Sequence, residues 1–390
     1  MKPRSNSKLS GRMVLAGAVA LAASNIQAAD KELLDILKSN GAITQKQYEV
    51  LLKKGEKSDE TLKKMAWAGR LKIKGDMRVR QEFIGRDGAR YKDRQRYRAR
   101  IEVVAKVTES VDANIRLASG DSTNPTSTNQ TMGNDFAKDS VWIDLAYLNW
   151  RPLAGLNIFG GKMRQPWEKV GDVIWDNDVN PEGVAVKYSA KLGSADLTAS
   201  GGYLVLSSIS GRRFADDTSL LYGQLNGKFD LGGAKTLLGA TLYDYRNEDS
   251  NTLANSTTSD FGLYELFGSV AIKAALPVKV YGQYVKNNDA DGANSGEDTA
   301  WLLGVASKYN KWKFGYNYRD TEINAVSDYF NDSDFAYGKT DAKGHKFQLG
   351  YKIDKNFGFG LTYFMAETGR FSAFSNEDID TLQIDLKARF

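Results

Sequence analysis

From Leu71 to Phe390 the chain alternates apolar and polar residues, and this period of two constrains the fold more than any other feature. Leu71, Ile73, Met77, Val79 and Phe83 share one parity. Lys72, Lys74, Asp76, Arg78, Arg80 and Glu82 share the other. Tyr97, Ile101, Val103 and Val107 oppose Arg96, Arg98, Arg100, Glu102 and Lys106. Trp312, Phe314, Tyr316 and Tyr318 oppose Lys311, Lys313, Asn317 and Arg319. A helix cannot sort such a pattern onto two faces, but a strand can, because its side chains point alternately up and down. Around Val141–Trp150 and Leu156–Met163 both parities are apolar, as on a surface packed by an inserted loop or a second subunit.

Repeated segments of about ten residues, each with one apolar and one polar face, suit an antiparallel β-barrel that crosses a membrane. The connections alternate in length. Short ones fall near Glu109, 151–155, 190–194, 230–234, 276–277, Asn310 and 354–356. Long ones fall near 84–93, 120–139, 164–181, 207–217, 247–260, 287–298, 323–340 and 369–378. That arrangement predicts about 16 strands, with tight periplasmic turns and larger external loops. The mean hydropathy of −0.45 excludes a bundle of membrane-spanning helices but not such a barrel. At the C-terminus Leu382, Ile384, Leu386, Ala388 and Phe390 form one face of a last strand. Its terminal aromatic residue resembles the signal read by barrel-assembly machinery.

Residues 1–28 read as a signal peptide. Lys2, Arg4, Lys8 and Arg12 precede an apolar core, Met13–Ala23, and a small residue, Ala28, precedes the cleavage point. Removing these four positive charges lowers the formal net charge from +5 to about +1, which excludes a basic nucleic-acid binder. The 0 cysteines exclude disulfides and thiolate metal sites. Residues 29–69 are expected to form a separate periplasmic helical segment, with a stop at Ser39-Asn40-Gly41 and a capping box at Thr44 and Gln47. Residues 70–390 make up the barrel, which is expected in an outer membrane, in contact with lipid and lipopolysaccharide.

A barrel of about 16 strands encloses water, so passive transport of small hydrophilic solutes and ions is the expected role, without cofactor or metal. Residues 70–116 carry 14 Lys/Arg and 7 Asp/Glu. Arg78, Arg80, Arg96, Arg98 and Arg100 share the polar parity of the first hairpin and would form a basic patch on the inner wall, extended by Arg116. Such a patch favours anions, unless Asp76, Glu82 and Glu102 neutralise it across the hairpin. The connection 164–181 is acidic and aromatic, with Arg164, Trp167, Glu168, Asp172, Trp175, Asp176 and Asp178, and Glu182 just beyond it. It is expected to fold inward as a constriction facing the arginines. The acidic residues of other loops, among them Asp328, Asp332 and Asp334, read as solvated loop tips. The single histidine, His345, has lipid-facing parity and no nucleophile beside it, which weighs against an outer-membrane enzyme. A scaffold for an electron-transfer or adhesion complex is the other alternative.

Three stretches resemble the Gram-negative "putative porin" family, which is similar to the phosphate-selective porins: Gly120–Gln130, Gly161-Lys162-Met163, and Ile174–Asp178 with Asn180–Gly183. Leu33–Leu52 resembles the N-terminal stretch of many such proteins. The resemblance implies a trimeric outer-membrane channel of about 16 strands. The phosphate-selective relatives use ladders of arginine and lysine. Here the arginines are concentrated on one hairpin, and much of the remaining wall reads as neutral.

Overall fold

The computed structural model describes residues 33–41, 43–53, 67–207, 218–246, 258, 260–292 and 294–390. The expected signal peptide and the lysine-rich stretch 54–66 lie outside these residues.

The N-terminal unit contains helices at 33–39 and 45–53. Gly41, at φ +69°, ends the first helix. At the second, the Thr44 N–H donates to Gln47 Oε1 at 2.8 Å and the Gln47 N–H donates back to Thr44 Oγ1 at 3.3 Å. This is the reciprocal cap anticipated from the sequence. Tyr48 bonds Asp35 at 2.5 Å and ties the two helices together.

The second unit is a closed antiparallel barrel. Its strands are β1 (Leu71–Arg86), β2 (Lys92–Lys106), β3 (Val111–Ala118), β4 (Gln130–Thr131), β5 (Trp142–Trp150), β6 (Leu156–Lys162), β7 (Glu182–Leu192), β8 (Ala195–Ser207), β9 (Thr218–Leu231), β10 (Ala234–Arg246), β11 (Gly262–Ile272), β12 (Val278–Asn287), β13 (Thr299–Tyr309), β14 (Trp312–Thr321), β15 (Ala342–Lys352), β16 (Phe357–Thr368) and β17 (Asp378–Arg389). The two-residue β4 only pins a loop to β2. The other sixteen form the wall, each beside its neighbour in sequence.

Closure comes from β1 pairing with β17, from Asp76↔Arg389 to Arg86↔Ile379. The Gly75 N–H donates to the Phe390 carbonyl at 2.9 Å, and the Phe390 N–H returns to Gly75 at 3.1 Å. A hydrocarbon surround cannot hydrogen-bond a free strand edge, so this seam is obligatory. Tight turns close one end. Gly232 and Gly233 both have positive φ (58° and 88°), as a two-residue hairpin requires. Long loops fill the other end.

Parity sorts the wall as the alternation predicts. Met77, Val79, Ile101, Leu225, Leu266 and Leu303 are exposed on the outside. Arg80, Glu82, Glu102, Arg116, Gln383 and Asp385 are buried on the inside. Near the turn end Trp312 and Tyr351 meet at 4.6 Å, and near the loop end Trp301 and Tyr318 meet at 5.4 Å. Both pairs sit where amphipathic rings favour a membrane interface. The doubly apolar segments owe their inner parity to an inserted loop: Tyr147 and Phe159 pack against a cluster built on residues 163–179.

Gly75 leaves no room for a side chain at the seam. A Cβ there would lie 2.5 Å from the Phe390 ring and 2.7 Å from the Arg100 carbonyl. Gly75→Val should therefore cost about 1–3 kcal/mol. It should lower the fraction of heat-modifiable folded barrel on gels relative to wild type; an unchanged fraction would show that the seam tolerates the bulk.

Candidate functional site

The inner wall of the barrel is divided chemically. On the loop side of β7–β13 it is apolar: Ala185, Leu204, Leu220, Tyr222, Tyr243, Leu263, Val285, Ala300 and Leu302 are all buried there. The connection 163–181 turns inward and lays Met163, Trp167, Val173, Ile174, Trp175 and Val179 onto this surface. Trp167 stands 5.0 Å from both Trp175 and Tyr222, and Trp175 stands 5.7 Å from Tyr243. Aromatic residues in this loop fill an apolar inner surface that water would otherwise have to wet.

A second loop, 322–341, folds in beside the first, which corrects the reading of its acids as solvated tips. Asp328 and Asp332 are buried, along with Ile323, Ala325, Val326, Phe330 and Phe335. The two loops are hydrogen-bonded to each other. The Asp176 N–H donates to the Phe330 carbonyl at 2.7 Å, and the Asp332 N–H donates to Asp172 at 3.2 Å. The Ser333 N–H donates to the Asp176 carboxylate at 3.1 Å. Four large or branched apolar residues, Ile323, Val326, Phe330 and Phe335, in a loop too polar to be a strand were the signal available in the sequence.

The opposite wall, β17 through β3, is charged. Arg80 reaches Asp385 at 2.7 Å and Asp334 at 3.2 Å. Arg98 and Arg100 share Asp76, at 2.6 and 2.8 Å. Arg100 also meets Asp178 of the inserted loop at 3.0 Å. Arg94 pairs with Glu82, Arg116 with Asp144, and Arg164 with Glu102. Lys74 meets Glu102 at 3.1 Å and Lys387 meets Asp385 at 3.0 Å. Arg96 lies 4.0 Å from Glu82 and donates to Ser127 and the Asn129 carbonyl. Arg78 forms no ion pair among the described residues; it donates to Asn129 Oδ1 at 2.5 Å, and its Nε is buried without a partner. This network holds ten basic and seven acidic groups among the described residues. Asp76, Glu82 and Glu102 do bind arginines, and loop and β17 carboxylates bind Arg80 and Arg100 as well, but the basic excess persists.

The remaining residues of the inserted loop divide between the two walls. Glu168 pairs with Lys228 at 2.7 Å. Asp172 bridges Arg319 at 2.5 Å and Lys346 at 2.8 Å. Glu182 is exposed and pairs with Lys162 at 2.6 Å. The carboxylates therefore do not all face the arginine patch; only Asp178 touches it, and Asp172 serves a separate basic pair on β14 and β15. Burial raises the affinity of Asp172 for a proton, but Arg319 and Lys346 outweigh it and hold the carboxyl below its usual range. Asp176 forms no ion pair among the described residues. Burial, then Asp332 and Asp178, push it well above the ordinary carboxylate value. Asp334 is held down at about 2; burial opposes this and Arg80 prevails.

Near the loop end a cavity of about 950 Å³ remains beside β3 and β5, lined by Ser127, Thr128, Asp144, Asp178, Asn180 and Tyr329, among others. His345 lies outside the lumen, with Nδ1 2.9 Å from the Tyr316 hydroxyl and its ring 4.9 Å from Tyr318.

The family model described as "Putative porin" matches residues 86–262 and 265–390. The chain belongs to this family. No curated protein matches the chain. Among solved structures, OprB of Pseudomonas putida is similar at 9% identity, covering 85% of this chain and 96% of that one, with a TM-score of 0.59. A triple mutant of Rhodopseudomonas blastica porin is similar at 12% identity, covering 82% of this chain and 100% of that one, with a TM-score of 0.48. At these identities the likeness concerns the fold alone, and the OprB likeness carries it. Membership of this family, on a barrel fold, points to an outer-membrane channel.

Proposed function

We propose that this porin passes small hydrophilic solutes and ions by diffusion, with a preference for anions set by the charged wall of β17–β3. The observation that carries the preference is Arg78. It is an inward-facing guanidinium with no ion pair among the described residues, held in a network of ten basic and seven acidic groups. A single-sign excess within an aqueous passage concentrates the opposite ion. Inorganic and organic anions are the solute class this wall favours.

Arg80, Arg98 and Arg100 are poor sites for a test, because each is held by carboxylates and removing it changes the balance of a paired cluster as well as the free charge. Arg78→Ala removes charge without breaking an ion pair among the described residues. In a planar bilayer under a salt gradient, wild type should show an anionic reversal potential. Arg78→Ala should reduce the anion-to-cation permeability ratio by about twofold. Cation preference in wild type would refute the reading.

Residues 164–181 act as a constriction on this reading, because they occupy the lumen and contribute Asp178 to the basic wall. Deleting 168–178 should raise single-channel conductance; unchanged conductance would place the narrowest point elsewhere.

The chain is further read as a homotrimer inserted by barrel-assembly machinery through its terminal strand, in which Leu382, Ile384, Leu386 and Phe390 share a parity. Val141, Ile143, Leu148 and Trp150 on β5 and its flank, and Ile115 on β3, form an exposed outer face suited to a neighbouring copy. Light scattering in detergent should give three protomer masses; a monomer mass would overturn the trimer.

A further inference from the structure

The turn end of the lumen carries a second basic surface, which corrects the expectation of a largely neutral wall. Lys279 on β12 shares the inward parity of Gln283, Val285 and Asn287, all buried. Lys308 on β13 shares that of Ala300 and Leu302, and Lys313 on β14 that of Asn317 and Arg319. Lys352 on β15 shares that of Lys346. No register shift interrupts these four strands. All four lysines are exposed, inside the barrel and next to its tight turns.

None of the four forms an ion pair among the described residues. The turns and strand ends of this arc (273–279, 308–313 and 352–357) hold seven lysines and one carboxylate, Asp354. That carboxylate is occupied at 2.8 Å by the N–H groups of Asn356 and Phe357. Between the lysines the inward positions are small or uncharged: Gly304, Ala306, Gly315, Gln348 and Gly350. Lys308 and Lys313 are directly opposed across their hairpin. Like charges placed so are destabilising, and an apolar or mixed pair would fold at least as well.

We propose that Lys279, Lys308, Lys313 and Lys352 form a collar that binds polyvalent anions, polycarboxylates or polyphosphates, approaching from the turn side, which is the periplasmic side in barrels of this kind. The inference rests on the channel reading but not on the arginine wall. Neighbouring strands are about 4.8 Å apart, well within the Debye length of about 8 Å at physiological salt. Adjacent ammonium groups therefore act together, and a polyvalent anion lying along the arc meets all four. The arginine wall lies on other strands, β1–β3, and most of its groups are held in ion pairs. The collar is open to solvent and gives the passage two chemically different mouths.

Polyglutamate is the probe, applied to the full chain in a planar bilayer. The protein has 0 cysteines, so maleimide labelling of Ala137→Cys on an exposed loop reports orientation. Block should occur from the turn side at a concentration at least about tenfold lower than from the loop side. Replacing the four lysines by Gln should abolish that difference. The smaller set Lys308→Gln with Lys313→Gln, which relieves a repulsion, should reduce it while preserving the fold. Arg78→Ala should leave it intact. Equal block from both sides in wild type, or a side preference that survives in the four-lysine variant, would overturn the collar. Cation preference in the reversal potential would overturn the arginine reading and leave the sided block standing, so the two fail separately.

Discussion

Hydrocarbon offers no hydrogen bonds to a peptide group, and every other feature of this molecule follows from how the chain meets that condition. Sixteen strands pair with their neighbours, and β1 with β17 leaves no edge. The seam ends on Phe390 bonded to Gly75, in a space too small for any other residue at position 75. Once the ring is closed, pleating assigns each residue to lipid or lumen without further choice. This is why a chain with low mean hydropathy can live in a membrane: only one parity has to be apolar.

Closure also creates an interior that must be filled or wetted. The chain does both. Over β7–β13 two loops bury aromatic and branched residues against the wall, and Trp167 and Trp175 anchor them. On the other wall, arginines and carboxylates occupy the lumen. Carboxylates from the loops and from β17 reach this wall, so loop position and wall charge are coupled through Asp178 and Asp334. The result is an eccentric interior, with the loops fixed by packing on one side and by ion pairs on the other. At the turn end the interior changes character again, to solvent-exposed lysines among small residues.

Much of the fold was legible because a period of two leaves few alternatives over 320 residues. The strand number, the alternating turn and loop lengths, the capping box at Thr44 and the inward-folding character of 164–181 could all be read from residue types in order. The loop 322–341 was missed because its acidic residues drew attention and its apolar ones were not weighed. Asp328 and Asp332 look like loop-tip residues until Phe330 and Phe335 are seen to need cover. The lysine collar was missed for a different reason: Lys308 and Lys313 share one hairpin, but Lys279 and Lys352 lie about thirty and forty residues from them in sequence, and no local window contains all four.

Alternation by itself determined the barrel, the identity of its lipid face and the presence of charge inside it, because those properties depend only on the parity of neighbouring residues. Tertiary structure alone decided which charges cancel. Arg80 meets Asp385 some 305 residues away, Arg319 meets Asp172 147 residues away, and Arg78 meets no acid among the described residues. Ion pairing depends on distances of a few ångströms between strands and loops, and these are set only when the ring closes and the loops find the apolar wall. The sequence could therefore say that the lumen is charged, but not where its net charge lies.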